Sequence, residues 1–126
     1  MTNPNFFSRL GLEVAYSEGG PWLDSLTRYI RGNLKLVTDF AVRSLPGIRP
    51  MRPDASFLVW LDARPIDDRV GDAQDFFLKK AKVNMYSGRV YGPGGDGFIR
   101  LNIGCARPLL RNALKRMAEV LGDNTI

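Results

Sequence analysis

The longest regular pattern in the sequence is an amphipathic segment that begins after Pro21 and ends before Pro46. Its apolar side chains recur at helical spacing, at Trp22, Leu26, Ile30, Val37 and Ala41. Pro21 suits a first helical position, whereas Pro46 disfavours helix at the residue before it. Gly32 costs a helix interior about 1 kcal/mol relative to Ala, and with Asn33 it allows a kink or a local break. The pattern predicts a long helix over residues 21–45.

Shorter patterns predict the remaining helices. Residues 4–18 have the spacing of a short amphipathic helix, which the following Gly-Gly-Pro interrupts. Asp72 is a good N-cap for a helix over residues 73–82. Pro108 suits the first turn of a last helix, and Gly122 is placed to cap its C-terminus.

Two apolar runs predict buried strands, at Phe57–Leu61 and Phe98–Ile103. A shorter strand is expected over residues 83–86. Residues 46–54 hold three prolines and predict an extended loop or a short edge strand, and residues 62–71 predict a loop. The resulting order, α-α-β-α-β-β-α, is typical of an α/β or α+β-like domain with a small sheet and helices packed on it.

The absence of histidine and the presence of one cysteine exclude several kinds of site. Without His there is no Ser-His-Asp or Cys-His machinery and no imidazole metal site. Cys105 alone excludes an internal disulfide and a Cys-rich zinc site, and we interpret it as a buried, inert thiol. Four acidic residues lack the spacing of an EF-hand and are interpreted as loop and cap residues: Asp67, Asp68, Asp72 and Asp75. No metal site is predicted.

The charge pattern favours a solvated mixed surface. Lys and Arg total 18 and Asp and Glu total 13, which gives a net charge of +5. Because no basic block reaches five residues, nucleic-acid binding is not expected. We interpret Arg107, Arg111 and Lys115 as the solvent-exposed side of the last helix. No apolar run approaches the roughly 20 residues that span a membrane. The first residues lack the pattern of a signal peptide, so a cytoplasmic location is expected.

A glycine-rich segment over residues 92–97 matches GxGxxG literally. The dinucleotide motif places a helix N-terminus under a pyrophosphate. Here the glycines lead into a predicted strand, and no GK[ST] follows. We interpret the segment as a flexible turn.

Arg100 is the residue that the strand pattern singles out. Side chains alternate between the two faces of a strand, so Arg100 projects from the middle of the apolar run 98–103. A buried guanidinium needs an anionic partner, and its fork can bind a carboxylate through two parallel hydrogen bonds. That partner is either an Asp or Glu of the chain itself or a ligand.

Three stretches together point to a known family. Residues 15–33 contain AYSEG, WLD and YIRGN and resemble AAY-x-EG…WLD…YL-x-x-N. Residues 53–64 (PDASFLVWLDAR) resemble PEGTYLAWLDFR, and residues 88–107 (GRVYGPGGDGFIRLNIGCAR) resemble GSAFGPGGEGFVRLNIACPR. These motifs belong to fold-type I pyridoxal-phosphate (PLP) enzymes, and the chain is most similar to the branch of the cystathionine β-lyases (C–S lyases) and aminotransferases.

The resemblance implies that the chain is the C-terminal third of such an enzyme. Residues 1–20 would be a remnant of the large-domain tail, residues 21–45 a long connecting helix, and residues 46–126 the small C-terminal domain. In the family, the Arg of "RLN" binds the α-carboxylate of the amino-acid substrate, and this role carries over to Arg100. Asn102 is a weaker candidate for a supporting role behind it.

The resemblance also implies that the complete enzyme uses PLP and that this chain alone binds none. In the family, the Schiff-base lysine, the Asp facing the pyridine nitrogen and the phosphate-binding residues lie upstream of this stretch. The five lysines lie outside the family's lysine motif: Lys35, Lys79, Lys80, Lys82 and Lys115. The chain is expected to carry no catalytic residue and to be inactive alone, as a truncated gene product, an excised domain or one piece of a split enzyme.

Two function classes remain open at this point. In a complete enzyme the reaction would be transamination, or β-elimination from a cystathionine-like amino acid. Alternatively, the chain is a stand-alone, non-catalytic module that dimerises or complements a separate large-domain chain. Without the surface on which they pack in the family, Phe6, Phe7, Trp22 and Tyr29 would form an exposed apolar patch, which favours association.

Overall fold

The computed structural model describes residues 5–122, apart from the side chain of Asp68. The helices are α1 (Phe6–Glu18), α2 (Gly20–Ser44), α3 (Arg64–Val70), α4 (Ala73–Phe76, continued as a π-helical turn over Phe77–Ala81) and α5 (Arg107–Gly122). The strands are β1 (Arg49–Pro50), β2 (Leu58–Asp62), β3 (Tyr86–Ser87) and β4 (Phe98–Asn102). Within the described residues, no helix is both long enough and apolar enough to cross a membrane.

The first two helices follow the predicted pattern closely. Asn5 caps α1 by accepting a hydrogen bond from the Ser8 amide at 2.8 Å. Gly19 ends it, and its N–H donates to the Ala15 carbonyl at 3.1 Å. The long helix α2 runs without a break at Gly32 and Asn33. Asn33 is fully buried there, and its side chain donates to the distant Ile103 carbonyl.

The four strands form one antiparallel sheet in the order β1-β2-β4-β3. Buried side chains of the two central strands form one face: Val59, Leu61, Ile99 and Leu101. They share the core with the inward residues of α2 and α5: Val37, Ala41, Leu110, Leu114, Met117 and Leu121. The small antiparallel sheet with packed helices is the fold class predicted from the sequence.

Two predicted segments differ from the structure. The loop predicted over residues 62–71 contains α3, because Pro65 stands in the first turn, where its missing N–H is not needed, and Ile66 is fully buried. The strand predicted over residues 83–86 pairs only at Tyr86–Ser87, while Val83 before it turns into the core.

The last helix begins at Arg107, so Pro108 lies in its first turn as predicted, and it extends through Gly122, which was predicted to cap it. Any capping contacts of Gly122 with the residues after it lie outside the described part. The division of the chain into a large-domain remnant, a connecting helix and a small domain stays a prediction.

Candidate functional site

Arg100 lies at the centre of β4, on the face of the sheet opposite the core. Its cross-strand neighbours are Trp60 of β2 on one side and Tyr86 of β3 on the other. Directly opposed residues of antiparallel strands share a face, so an aromatic ring flanks Arg100 on both sides. The Arg100 side chain is half-buried there.

Two aromatic side chains contact the guanidinium of Arg100, and a third packs against one of them. The central carbon of the guanidinium lies 4.7 Å from the ring centroid of Tyr91 and 5.0 Å from that of Tyr86. Tyr91 in turn meets Trp60 edge-on, with ring centroids 5.3 Å apart. We call Trp60, Tyr86 and Tyr91 the aromatic box. Cation–π contacts of this kind are attractive but leave the positive charge without a counter-ion.

The charge of Arg100 has no carboxylate partner among the described side chains. Its Nε atom is buried and has no hydrogen-bond partner there. The described part of the chain therefore contains no internal salt bridge to Arg100, which was one of the two predicted alternatives. A guanidinium that is half-buried and without an anion is a candidate binding site for an anionic ligand.

The acidic residue nearest along this face is already engaged. Asp62, two residues from Trp60 in β2, accepts hydrogen bonds from Arg64 Nε at 2.9 Å and from its terminal Nη2 at 2.8 Å. The Arg64 hydrogen bonds hold the pKa of the Asp62 carboxyl below its ordinary value, with burial opposing this. Asp62 is thus neutralised by its own neighbour rather than by Arg100.

Asn102 lies on the same face of β4 as Arg100, two residues further along. Its side-chain oxygen accepts a hydrogen bond from the Gly104 amide at 2.8 Å, which shapes the turn after the strand. The side chain is exposed. A supporting role behind Arg100 stays a prediction.

A shallow groove of about 380 Å³ adjoins the aromatic box. Its lining includes Met51, Trp60, Tyr91, Pro93 and Phe98. Sequence reasoning did not select Trp60 or Tyr91. Trp60 could have been found from strand alternation, because it faces away from the buried Val59 and Leu61, but Tyr91 reaches the site from a turn.

The glycine-rich segment forms turns, as predicted. Short 3₁₀ turns at Gly88–Tyr91 and Pro93–Gly95 precede β4, and no helix follows the glycines. Arg89 pairs with Asp96 at 2.9 Å and with Asp72 at 3.4 Å across this region. The turns place Tyr91 beside Arg100.

The lysines of the chain lie outside the groove beside Arg100. All five lysines are exposed, and none of them belongs to the aromatic box or lines the adjoining groove. Lys35 pairs with Asp39, and Lys79 pairs with Asp75, each at 2.7 Å. No lysine of this chain is thereby placed to form a Schiff base beside Arg100.

The remaining polar candidates have structural roles in the described part of the chain. Asp72 caps α4 by accepting from the Asp75 amide at 2.9 Å, as predicted, and Asp67 accepts from the Ala73 amide at 3.2 Å. Burial raises the pKa of the Cys105 thiol, which disfavours a thiolate nucleophile. No group of three or more potential metal ligands occurs among the described residues.

A second surface is apolar and exposed. None of the residues of α1 is buried, and the exposed fraction is 80% for Phe7 and 68% for Trp22. We call six of the exposed apolar side chains of α1 and of the first turns of α2 the helical apolar surface: Phe6, Phe7, Leu12, Tyr16, Trp22 and Leu23. Exposed large apolar side chains of this kind favour contact with another protein surface.

Comparisons with known proteins extend over nearly all of the chain. Cystathionine β-lyase PatB of Bacillus subtilis is 44% identical over 117 residues, which cover 93% of this chain and 30% of PatB. Protein MalY of Escherichia coli is 32% identical over 121 residues, which cover 96% of this chain and 31% of MalY.

Solved structures agree with the sequence comparison. The PLP-bound C–S lyase of Staphylococcus hominis superimposes with a TM-score of 0.90 at 26% identity, over 100% of this chain and 34% of that one. The chain therefore spans about a third of the length of the relatives that it matches. No family model matches it.

Proposed function

Because this chain matches the C-terminal part of PLP-dependent cystathionine β-lyase and C–S lyase proteins, we propose that it binds the substrate carboxylate for such an enzyme or a related aminotransferase. Arg100 is the residue that performs this role. The substrate class is an amino acid, and the reaction of the complete enzyme is transamination or β-elimination from a cystathionine-like amino acid.

The observation that supports this proposal is the state of the Arg100 side chain. The aromatic box orients the guanidinium, and no described carboxylate neutralises it. An Arg fork matches the two oxygens of a carboxylate. The strand pattern selected the same residue as the family's "RLN" motif, by an independent argument.

The cofactor belongs, in this proposal, to the portion of the family fold that these 126 residues do not include. The exposed lysines do not fit PLP, and the chemistry of such enzymes is supplied by the cofactor. The chain therefore contributes substrate binding and no catalytic residue. By itself it turns over no amino acid.

A carboxylate titration tests the role of Arg100 directly. Acetate is added to the isotope-labelled chain, and the backbone amide signals of Trp60 and Tyr86 are followed by NMR. We expect saturable shifts in the unmodified chain and in the control Arg111→Gln, and their loss in Arg100→Gln. Equal shifts in all three proteins would show that Arg100 is not the carboxylate site.

A PLP titration tests the absence of a cofactor site. The pure chain is incubated with PLP, reduced with borohydride and analysed by intact mass. We expect weak labelling scattered over the five lysines and no turnover of amino acids. One specific adduct with a yellow aldimine band would show that one of these lysines serves as the Schiff-base residue, which would contradict the proposal.

The helical apolar surface supports the alternative function, a non-catalytic interaction module. Phe7 and Trp22 are mostly exposed on it, so a second copy or a complementing chain would bury apolar area. Sedimentation at increasing concentration distinguishes the two functions. Association that Phe7→Ser abolishes would favour the module, whereas a clean monomer at high concentration would count against it.

A further inference from the structure

We infer that the groove beside Arg100 binds the apolar side chain of the carboxylate ligand. Arg100 and the groove would then form one site that prefers carboxylates with an apolar substituent over short ones. The inference rests on the proposed function, because it takes Arg100 as the carboxylate-binding residue.

Two side chains next to Arg100 also line the groove. Tyr91 contacts the guanidinium with its ring, at 4.7 Å from the centroid, and also lines the groove. Trp60 is the cross-strand neighbour of Arg100 and lines the groove as well. Tyr91 and Trp60 therefore border both the guanidinium and the groove, which makes the two neighbours on this face of the sheet.

The chemistry of the lining selects the kind of substituent. No charged side chain lines the groove, and its lining includes the side chains of Met51, Trp60, Tyr91, Pro93 and Phe98. Phe98 is itself covered by the Arg64 guanidinium, which lies 4.7 Å from its ring centroid and is paired with Asp62. This second cation is thus neutralised, and the side chains of the lining offer a substituent mainly apolar contact.

The size of the groove suits a small organic molecule. Its volume of about 380 Å³ falls within the range of small-molecule pockets, which combine apolar walls with a few orienting polar groups. Here the orienting group is the guanidinium, whose charge has no partner among the described residues. Charge and shape together specify a carboxylate with an apolar substituent.

Three probes separate the two parts of the site. They are 3-phenylpropionate, which has both groups, acetate, which has only the carboxylate, and 3-phenylpropan-1-ol, which has only the apolar part. The indole N–H signal of Trp60 reports binding by NMR. Trp22, on the helical apolar surface, is an internal control, because the sequence contains two tryptophans.

We expect 3-phenylpropionate to shift the Trp60 signal saturably, to leave the Trp22 signal unchanged, and to bind at least about tenfold more tightly than acetate or the alcohol. Arg100→Gln should reduce its affinity to that of the alcohol. Met51→Ala, which alters the groove lining and not the recorded contacts of Arg100, should reduce it towards that of acetate, whereas Tyr16→Ala, a truncation on α1, should have no effect. Circular dichroism of each variant checks that it folds.

The outcomes distinguish this inference from the proposed function. If 3-phenylpropionate binds no more tightly than acetate while both depend on Arg100, the groove does not take the substituent and the inference fails alone. If the alcohol binds as tightly as 3-phenylpropionate, the groove is an apolar site unrelated to the carboxylate, and the inference is overturned. If Arg100→Gln leaves acetate binding unchanged, the proposed function fails and the inference with it.

Discussion

The side-chain oxygen of Asn33, in the middle of α2, accepts a hydrogen bond from Arg107 Nε at 2.9 Å across 74 residues of sequence. The Asn33 amide nitrogen donates to the carbonyls of Ile103 at 2.9 Å and of Cys105 at 3.0 Å. One buried side chain thus joins the long helix to the segment between β4 and α5. Because Ile103 follows directly after β4, this contact also fixes the end of the strand that carries Arg100.

Asn33→Ala should lower the free energy of unfolding by about 2–3 kcal/mol, because it leaves buried partners unsatisfied. The measurement is urea unfolding followed by circular dichroism. Asn112→Ala, at an exposed position of α5, is the control and should change stability little. A loss at position 33 as small as that of the control would show that the network contributes nothing.

Gly32→Ala should be destabilising, although Ala normally stabilises a helix interior by about 1 kcal/mol relative to Gly. A Cβ at position 32 would lie 2.5 Å from Nη2 of Arg107, and that side chain is anchored by Asn33 and by the Tyr29 carbonyl. Gly11→Ala, in α1 with open space around it, should show the ordinary gain.

A double-mutant cycle identifies the cause of that effect. In an Arg107→Ala background the obstacle is removed, so Gly32→Ala should become stabilising. The same sign in both backgrounds would mean that Arg107 is not the reason why position 32 is glycine.

Arg64→Met should lower the free energy of unfolding at neutral pH and have little effect in acid. The folded-state pKa of Asp62 is depressed, chiefly by the Arg64 hydrogen bonds. A depressed carboxyl pKa contributes stability that is present above its unfolded value, about 3.9, and is lost as the pH falls through the folded value.

Urea unfolding of both proteins between neutral pH and about pH 2 measures this dependence. The difference between Arg64→Met and the unmodified chain should shrink as the pH falls. Lys35→Met removes the partner of the more exposed Asp39 and is the control, with a smaller difference expected throughout. A difference for Arg64→Met that is independent of pH would indicate that lost packing on Phe98 dominates instead.

Ser56→Gly should raise the free energy of unfolding by about 1 kcal/mol. Ser56 has a φ of 74°, in the left-handed region that costs an L residue energy and that glycine adopts without strain. Ala55→Gly is the matched control one residue earlier, because Ala55 does not have a positive φ. This substitution should lower the free energy of unfolding, because glycine gives the unfolded chain more conformational entropy. Thermal unfolding of both variants decides the matter, and a loss at position 56 would contradict the prediction.

Some features of the site could be predicted from local pattern alone. Arg100 was selected because a charged residue in an apolar strand needs compensation, and this argument needs only the residues beside it. The loop predicted over residues 62–71 was wrong for the opposite reason. Pro65 and the surrounding acidic residues suggested a turn, whereas burial of Ile66 against the core stabilises α3.

The sequence by itself determined the long helix α2, the strands β2 and β4, the last helix α5 and the family motifs, but not the helix α3. These depend on the spacing of apolar residues and on caps that act within one or two turns. Only the tertiary structure decided which residues surround Arg100 and why Gly32 and Asn33 lie within an unbroken helix. Strand pairing brings Trp60 and Tyr86 beside Arg100. The packing of α5 against α2 brings Arg107 into contact with Asn33. Each of these contacts joins residues that are well separated in sequence. Their energies depend on the three-dimensional fold, so the spacing of residues within one segment does not predict them.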